Sequence, residues 1–273
     1  MAQINAAGRG ATWLAALTGE IPSESDYPVS VRVVDAPLGG RAARFIAVVP
    51  DPANRFPRVR NGEVGLVEGW ALARAVSEVL ALDAGTTQKR PIVAVIDVTS
   101  QAYGRREEAY GIHQALAGAA GAYAAARLAG HPVIGLIVGK AMSGGLLAHG
   151  YQANRLIALD DPGVMVHAMG KAAAARVTQR SVADLEKLAQ SIPPMAYDIR
   201  SFASLGLLWR LLAVNQPDVP GVAELNLVEA ALLEALADIE KDSSRDLAGR
   251  LDAAPRAMSK RVRERLCAAW HDD

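Results

Sequence analysis

Hydrophobic positions along the chain change their period several times, and each change marks an element. Val29 to Val34 and Ala42 to Val49 are rich in Val, Ile and Phe and are separated by Pro37-Leu38-Gly39-Gly40, the pattern of two strands joined by a turn. From Glu63 to Leu82, Val64, Val67, Ala71, Ala75, Val79 and Leu82 recur at helical spacing, and the run closes near Gly85. An apolar run, Ile92 to Val98, predicts a buried strand and is followed by a polar loop, Thr99 to Gly104. A long helix is predicted from about Arg106 to Ala129, so rich in alanine and glycine that its neighbours must approach closely, with Gly130 as its stop. A second apolar strand, Pro132 to Val138, runs into Gly139-Lys140-Ala141-Met142-Ser143-Gly144-Gly145, read as a loop, and a small-residue helix, Leu146 to Tyr151. Short strands are predicted at Arg155 to Leu159 and Val164 to His167.

Beyond Gly170 the pattern is almost all helical: Lys171 to Val177, Val182 to Ser191, Val222 to Ile239, and a charged last helix from Ala254 to Trp270. Gln216-Pro217-Asp218-Val219-Pro220-Gly221 is the clearest break. Strands alternating with helices predict an α/β fold with parallel crossovers covered by helices. The break divides it into a core, residues 1–215, and a helical C-terminal appendage, residues 216–273, packed on the core or on a partner subunit.

The bulk properties narrow the classes. At 273 residues, 51% of them apolar, the chain fits one large core. With 29 Lys+Arg against 29 Asp+Glu it has no net charge, so the basic footprint of a nucleic-acid binder is missing. A single cysteine, Cys267, excludes an internal disulfide framework and a thiolate metal cluster and fits a cytoplasmic setting. Ala11 to Leu17 reads as an amphipathic N-terminal helix, and no run reaches the ~20 apolar residues of a membrane span, since Arg210 interrupts Leu207 to Ala213. A soluble protein with neither nucleic acid nor membrane as partner is expected.

Two loops follow the buried strands, Thr99 to Gly104 and Gly139 to Gly145, on the sheet edge where open α/β folds place ligands. Adjacent glycines between a strand and a helix leave backbone N–H groups uncovered, and a helix start carries unpaired donors and partial positive charge. Gly144 and Gly145 therefore read either as half of an anion hole or as a site of close helix packing. The stretch lacks the glycine spacing of phosphate cradles. Ala141-Met142-Ser143-Gly144-Gly145 also approximates a nucleophile elbow, with His167 downstream and Asp218 as a candidate acid, the components of a serine hydrolase. Glu107 and Glu108 suit a helix start. Asp160-Asp161-Pro162-Gly163 reads as a turn, and no metal site is predicted.

The stretch Pro91 to Asp97 leading to Tyr103-Gly104, the Ala-rich helix, the 139–145 stretch, and Asp161-Pro162-Gly163-Val164-Met165-Val166-His167-Ala168-Met169-Gly170 together resemble the carboxyltransferase branch of the crotonase superfamily. Within it the whole chain resembles the gamma subunits of malonate decarboxylase, including Asn61 to Trp70 and the helical tail. The resemblance implies a crotonase-like ββα superhelix with a helical C-terminal appendage. It also implies a homologous beta subunit and an acyl carrier protein whose phosphopantetheine-type arm carries a malonyl thioester, converted to acetyl thioester and CO2. The active site would lie where the two subunits meet, with no cofactor or metal on this chain. Gly144 and Gly145 match the second oxyanion loop and Tyr103 and Gly104 the first, with Ser143 and His167 as supporting residues. Decarboxylation without biotin is the form expected, a biotin-dependent assembly being the variant left open. Two other readings stand beside it: similarity to the proteolytic subunit of the Clp protease, with Ser143 and His167 catalytic, and a non-catalytic scaffold subunit completing its partner's site.

Overall fold

Gly39 and Gly40, with φ of +58° and +79°, turn the first two strands onto each other, the two-residue geometry that matches strand twist. The structure, a computed structural model, describes residues 8–19 and 26–270. After α1 (Gly8–Thr18) come β1 (Val31–Leu38) and β2 (Arg41–Val48), paired antiparallel. Pro37 and Leu38, expected in the turn, belong to β1, opposite Ala42 and Arg41; a proline is tolerated there because β1 is an edge strand.

The α2 helix (Leu66–Leu82) starts three residues after the expected Glu63 because its first turn is built around Gly65. Glu68, fully buried, accepts the Gly65 N–H at 3.2 Å, the Ser30 hydroxyl at 2.6 Å and the Asn54 side-chain amide at 3.2 Å. A buried carboxylate is tolerated when its lone pairs are satisfied in this way. The β3 strand (Ile92–Val98) lies where the apolar run predicts it. The single long helix expected next is two helices, α3 (Arg105–Ala109) and α4 (Ile112–Leu128). Gly111 sits between them at φ +79°, a left-handed position that glycine adopts without penalty. The small residues of α4 let α2 approach: a Cβ at Gly69 would fall 2.8 Å from the Ala115 carbonyl.

The largest departure follows. β4 (Val133–Met142) continues through Gly139 and Lys140 and passes directly into α5 (Ser143–Ala148), so the loop expected over residues 139–145 is strand, then helix. The reason is non-local. After β5 (Arg155–Asp160), β6 (Met165–His167) returns to pair with the end of β4, placing Met165 opposite Lys140 and His167 opposite Met142.

The rest of the chain forms α6 (Lys171–Val177), α7 (Val182–Ala189), α8 (Ile199–Ser204), β7 (Arg210–Ala213), α9 (Val222–Lys241) and α10 (Ala257–Trp270). The almost all-helical expectation beyond Gly170 misses β7, which pairs parallel with β5, Ile157 opposite Arg210. The seven strands run in the order β1-β2-β3-β4-β5-β7, with β6 beside β4, and every pairing after the first hairpin is parallel. Val228, Leu232, Ala235 and Leu236 of α9 enter the main core, whereas α10 buries no residue. Trp13 of α1, fully buried, donates its indole N–H to the Pro217 carbonyl at 2.8 Å. No helix among the described residues is long and apolar enough to cross a membrane.

Candidate functional site

Strands β3 and β4 end side by side, Val98 opposite Ala141, so the residues that follow them emerge together at the carboxyl edge of the sheet. The first segment, residues 99–104, is held by the chain ahead of α2. Val64 N–H donates to the Ser100 carbonyl at 3.0 Å, Ala102 N–H to the Val64 carbonyl at 2.9 Å, and the Thr99 hydroxyl to the Asn61 carbonyl at 3.2 Å. Ala102 is buried with Val59 and Ile112. Gly104 is wedged between the Glu107 carboxylate and the Arg58 guanidinium, where a Cβ would fall 2.2 and 2.9 Å from their polar atoms.

The second segment begins at Ser143, whose φ of +59° makes it one of three non-glycine residues with positive φ among those described. That left-handed residue turns the end of β4 into α5. Here the two segments meet residue by residue. The Ser143 hydroxyl is hydrogen-bonded to the Tyr103 hydroxyl. The Gly144 N–H donates to Gln101 Oε1 at 3.0 Å. Gly145 lies against the backbone of Ser100, where a Cβ would stand 2.6 Å from the carbonyl oxygen. The two glycines thus have separate causes: at 144 a Cβ would fall 2.0 Å from the Gln101 oxygen, at 145 it would strike fixed backbone.

Gly144, Gly145, Tyr103, Gly104 and Ser143 are therefore brought to one place. His167 is adjacent through its pairing with Met142. Its ring stacks on Tyr197, centroids 3.9 Å apart and planes at 13°, and burial lowers its pKa against a hydrogen bond with Met169. Lys171 also lies over the Tyr197 ring, 5.5 Å from its centroid. Gln101 is the member that sequence reasoning missed; a polar residue inside a polar loop carries no periodic or motif signal.

The hydrolase arrangement is not assembled, which corrects the triad expectation. Ser143 is engaged by Tyr103, His167 Nδ1 lies 3.0 Å from the Met169 carbonyl oxygen, and Asp218 accepts from Arg9 Nε at 2.6 Å. Asp218 belongs to a different cluster, in which Arg9 also binds Asp161 at 2.6 Å and so ties α1 to the turn after β5. Asp161 accepts the Gly163 N–H at 2.8 Å, the turn predicted there. Among the described residues no three His, Cys, Asp or Glu side chains converge as metal ligands would.

One buried network fixes α5 from beneath. His149, fully buried just past α5, has Nε2 3.1 Å from the Val95 carbonyl and Nδ1 3.1 Å from the Tyr123 hydroxyl. Only an N–H can face a carbonyl, so Nε2 carries the proton and Tyr123 donates to Nδ1. Burial holds the imidazole neutral, its pKa lowered to about 4, and pushes the Tyr123 phenol up.

A chain with this sheet order, these two abutting segments and this helical tail has recognisable relatives. It is 64% identical to a chain of a Pseudomonas malonate decarboxylase hetero-tetramer crystallised with coenzyme A, covering 96% of this chain and 99% of that one, with a TM-score of 0.93. It is 62% identical to a chain of a Pseudomonas malonate decarboxylase MdcD-MdcE hetero-dimer, with the same coverage and a TM-score of 0.89. It is 32% identical over 190 residues to the malonyl-S-ACP:biotin-protein carboxyltransferase MADD of Malonomonas rubra, a match spanning 68% of this chain and 62% of that protein's length. A transcarboxylase 12S structure, at 20% identity and a TM-score of 0.60 over 81% of this chain and 39% of that one, shares the fold, which is crotonase-like. The model of the malonate decarboxylase gamma subunit matches residues 59–270, from the segment that holds the first loop to the end of α10, and with that extent the chain belongs to the malonate decarboxylase gamma subunit family.

Proposed function

We propose that this chain works with a homologous beta subunit to decarboxylate a malonyl thioester carried on the phosphopantetheine-type arm of an acyl carrier protein. The observation that carries the reading is the near-full-length match to the malonate decarboxylase chain, and in this chain the abutting 100–103 and 143–145 segments supply one wall at the sheet edge. In this reaction the bond between the α-carbon and the carboxylate breaks, CO2 leaves, and the electron pair moves onto the thioester as an enolate. Protonation at the α-carbon then gives the acetyl thioester. Donors aimed at the developing oxyanion are worth ~3 kcal/mol each in such sites.

Tyr103, Gly104, Gly144 and Gly145 are assigned to the wall against which the malonyl group lies, with Ser143 and His167 supporting it. Gly144 needs one revision: its N–H is held by Gln101, so a substrate oxygen can use it only by displacing that side chain. The beta subunit supplies the facing wall. The division at residues 215 and 216 is kept in narrower form, with α9 as part of the core and α10 as the segment offered to the beta subunit. Met258, Val262, Leu266 and Trp270 form an exposed stripe on α10, beside Lys260, Arg261, Arg263 and Arg265; Glu264 is the acidic residue on the helix itself, and Asp252 ahead of it pairs with Lys260 at 2.9 Å. A 14-residue helix with no buried residue is marginal by itself in water. The family match nevertheless extends to its last residue. A cytoplasmic location completes this reading.

The test is CO2 release from malonyl carrier protein by the co-purified complex; an intact, folded complex that releases none would overturn the proposal. The M. rubra relative points to a second outcome, transfer of the carboxyl group to a biotin protein. Release unaffected by avidin separates the first outcome from the second.

A further inference from the structure

Resting on the reading that the two abutting segments form the reacting wall, we propose that Gln101 is a positioning residue, whose side-chain oxygen locks the Gly144 peptide and so sets the register between the segments. The backbone of Gln101 is anchored from the far side. It forms a parallel bridge with Val64, and its neighbours on each side exchange hydrogen bonds with Val64, at 3.0 Å through Ser100 and 2.9 Å through Ala102. From that anchor the side chain crosses to the Gly144 N–H at 3.0 Å. Glycine at 144 leaves the space the oxygen fills, since a Cβ there would lie 2.0 Å from it.

The contact is the middle one of three. Tyr103 with Ser143, Gln101 with Gly144 and Ser100 with Gly145 join the segments in opposite chain directions. The outer two are a hydroxyl pair that can rotate and a packing contact without a hydrogen bond. Of these three contacts, Gln101 therefore supplies the directional tie from the first segment to the 143–145 backbone. A hydrogen bond weakens steeply once the N–H points away from its acceptor, so an oxygen held on a fixed loop biases the orientation of the 143–144 peptide and of the turn into α5.

Gln101→Met keeps the length and removes the acceptor, whereas Gln101→Glu keeps an acceptor oxygen at the same place. Both are made in the beta-gamma complex and assayed with malonyl carrier protein, and hydrogen exchange at Gly144 is followed in the same samples. The expected result for Gln101→Met is a fall in kcat of about tenfold, with KM changed less than about threefold and Gly144 exchange faster by about tenfold, the scale of one lost hydrogen bond. Gln101→Glu is expected to restore slow exchange and most of kcat. Equal losses in both variants with a lowered melting temperature would reduce Gln101 to a packing residue and overturn the proposal. A lower KM with unchanged or higher kcat in Gln101→Met would overturn it differently, by showing that Gln101 competes with substrate for the Gly144 N–H. A wild-type complex that releases no CO2 is the failure of the decarboxylase reading instead, and the exchange measurement still decides whether Gln101 holds Gly144.

Discussion

The hydroxyl of Tyr103, on the segment after β3, is hydrogen-bonded to the hydroxyl of Ser143, at the left-handed turn after β4. Neither residue is near the other in sequence, and the tie spans the edge at which ligands enter α/β sheets. It also engages the Ser143 hydroxyl with a phenol hydroxyl and not with the His or Lys base that activates a nucleophilic serine.

Tyr103→Phe should therefore lower kcat/KM by about fivefold, the worth of one neutral hydrogen bond of ~1 kcal/mol, with little change in melting temperature because Tyr103 is exposed. Ser143→Ala should cost about as much. Loss of a true nucleophile costs on the order of a millionfold. Steady-state CO2 release on the two variants separates these scales, and labelling of Ser143 by a serine-reactive phosphonate should not occur.

The neighbouring glycines should respond differently. At Gly145 an added methyl meets the Ser100 carbonyl at 2.6 Å, which is backbone and cannot step aside. Gly145→Ala is thus expected to destabilise by about 1–3 kcal/mol, the usual cost of overpacking, and to abolish turnover. At Gly144 the obstacle is the end of a flexible side chain, so Gly144→Ala should fold normally and displace Gln101. Urea melts and CO2 release on both variants check the contrast; full activity in Gly145→Ala would favour the scaffold role.

Sequence alone located the elements whose cause is local. Ile92–Val98 and Lys171–Val177 fall where their patterns place them, because a buried apolar run and an alanine-rich turn need no distant partner to declare themselves. Residues 139–142 do not. Gly139 and Lys140 look like loop, and they become strand because β6 pairs with β4 from Lys140 onward and because the side chain of Asp97 fills the space a Cβ at Gly139 would need and accepts the Lys140 N–H at 3.0 Å. The break at Gly111 was hidden by helix-forming residues on both sides. β7 was hidden by its brevity and by Arg210, since its partner β5 lies about fifty residues upstream. For the candidate site, motif resemblance picked out the glycines, Tyr103 and Ser143, which the fold brings together. Gln101 was not, because its role exists only once the two segments are brought together.

The stripe on α10 gives a prediction about assembly. Val262→Asp combined with Leu266→Asp alters two exposed residues, and such surface changes are usually within about 0.5 kcal/mol. The melting temperature of the chain should hardly move. If the stripe seats on the beta subunit, burying two charges in that contact should weaken co-purification by at least about tenfold. Undiminished co-purification of the double variant would assign the stripe to another role.

Acid should loosen the site from beneath through His149. Its pKa in the folded chain is lowered to about 4 from an ordinary 6.5, chiefly by burial, with the Val95 hydrogen bond opposing. The unfolded chain therefore binds the proton first as pH falls. Stability from this residue is fully present above about pH 6.5, is lost progressively as pH drops toward 4, and does not fall further below that. The full loss is about 3 kcal/mol, and about 2 kcal/mol of it is reached by pH 5. Protonation would also put a second N–H where Nδ1 accepts from the Tyr123 hydroxyl, so the tie under α5 must rearrange as well. Denaturant melts at pH 7 and pH 5 should show the difference, and His149→Gln, which loses the titrating group, should show a correspondingly smaller one. An equal pH dependence in the variant would place the acid sensitivity elsewhere in the fold.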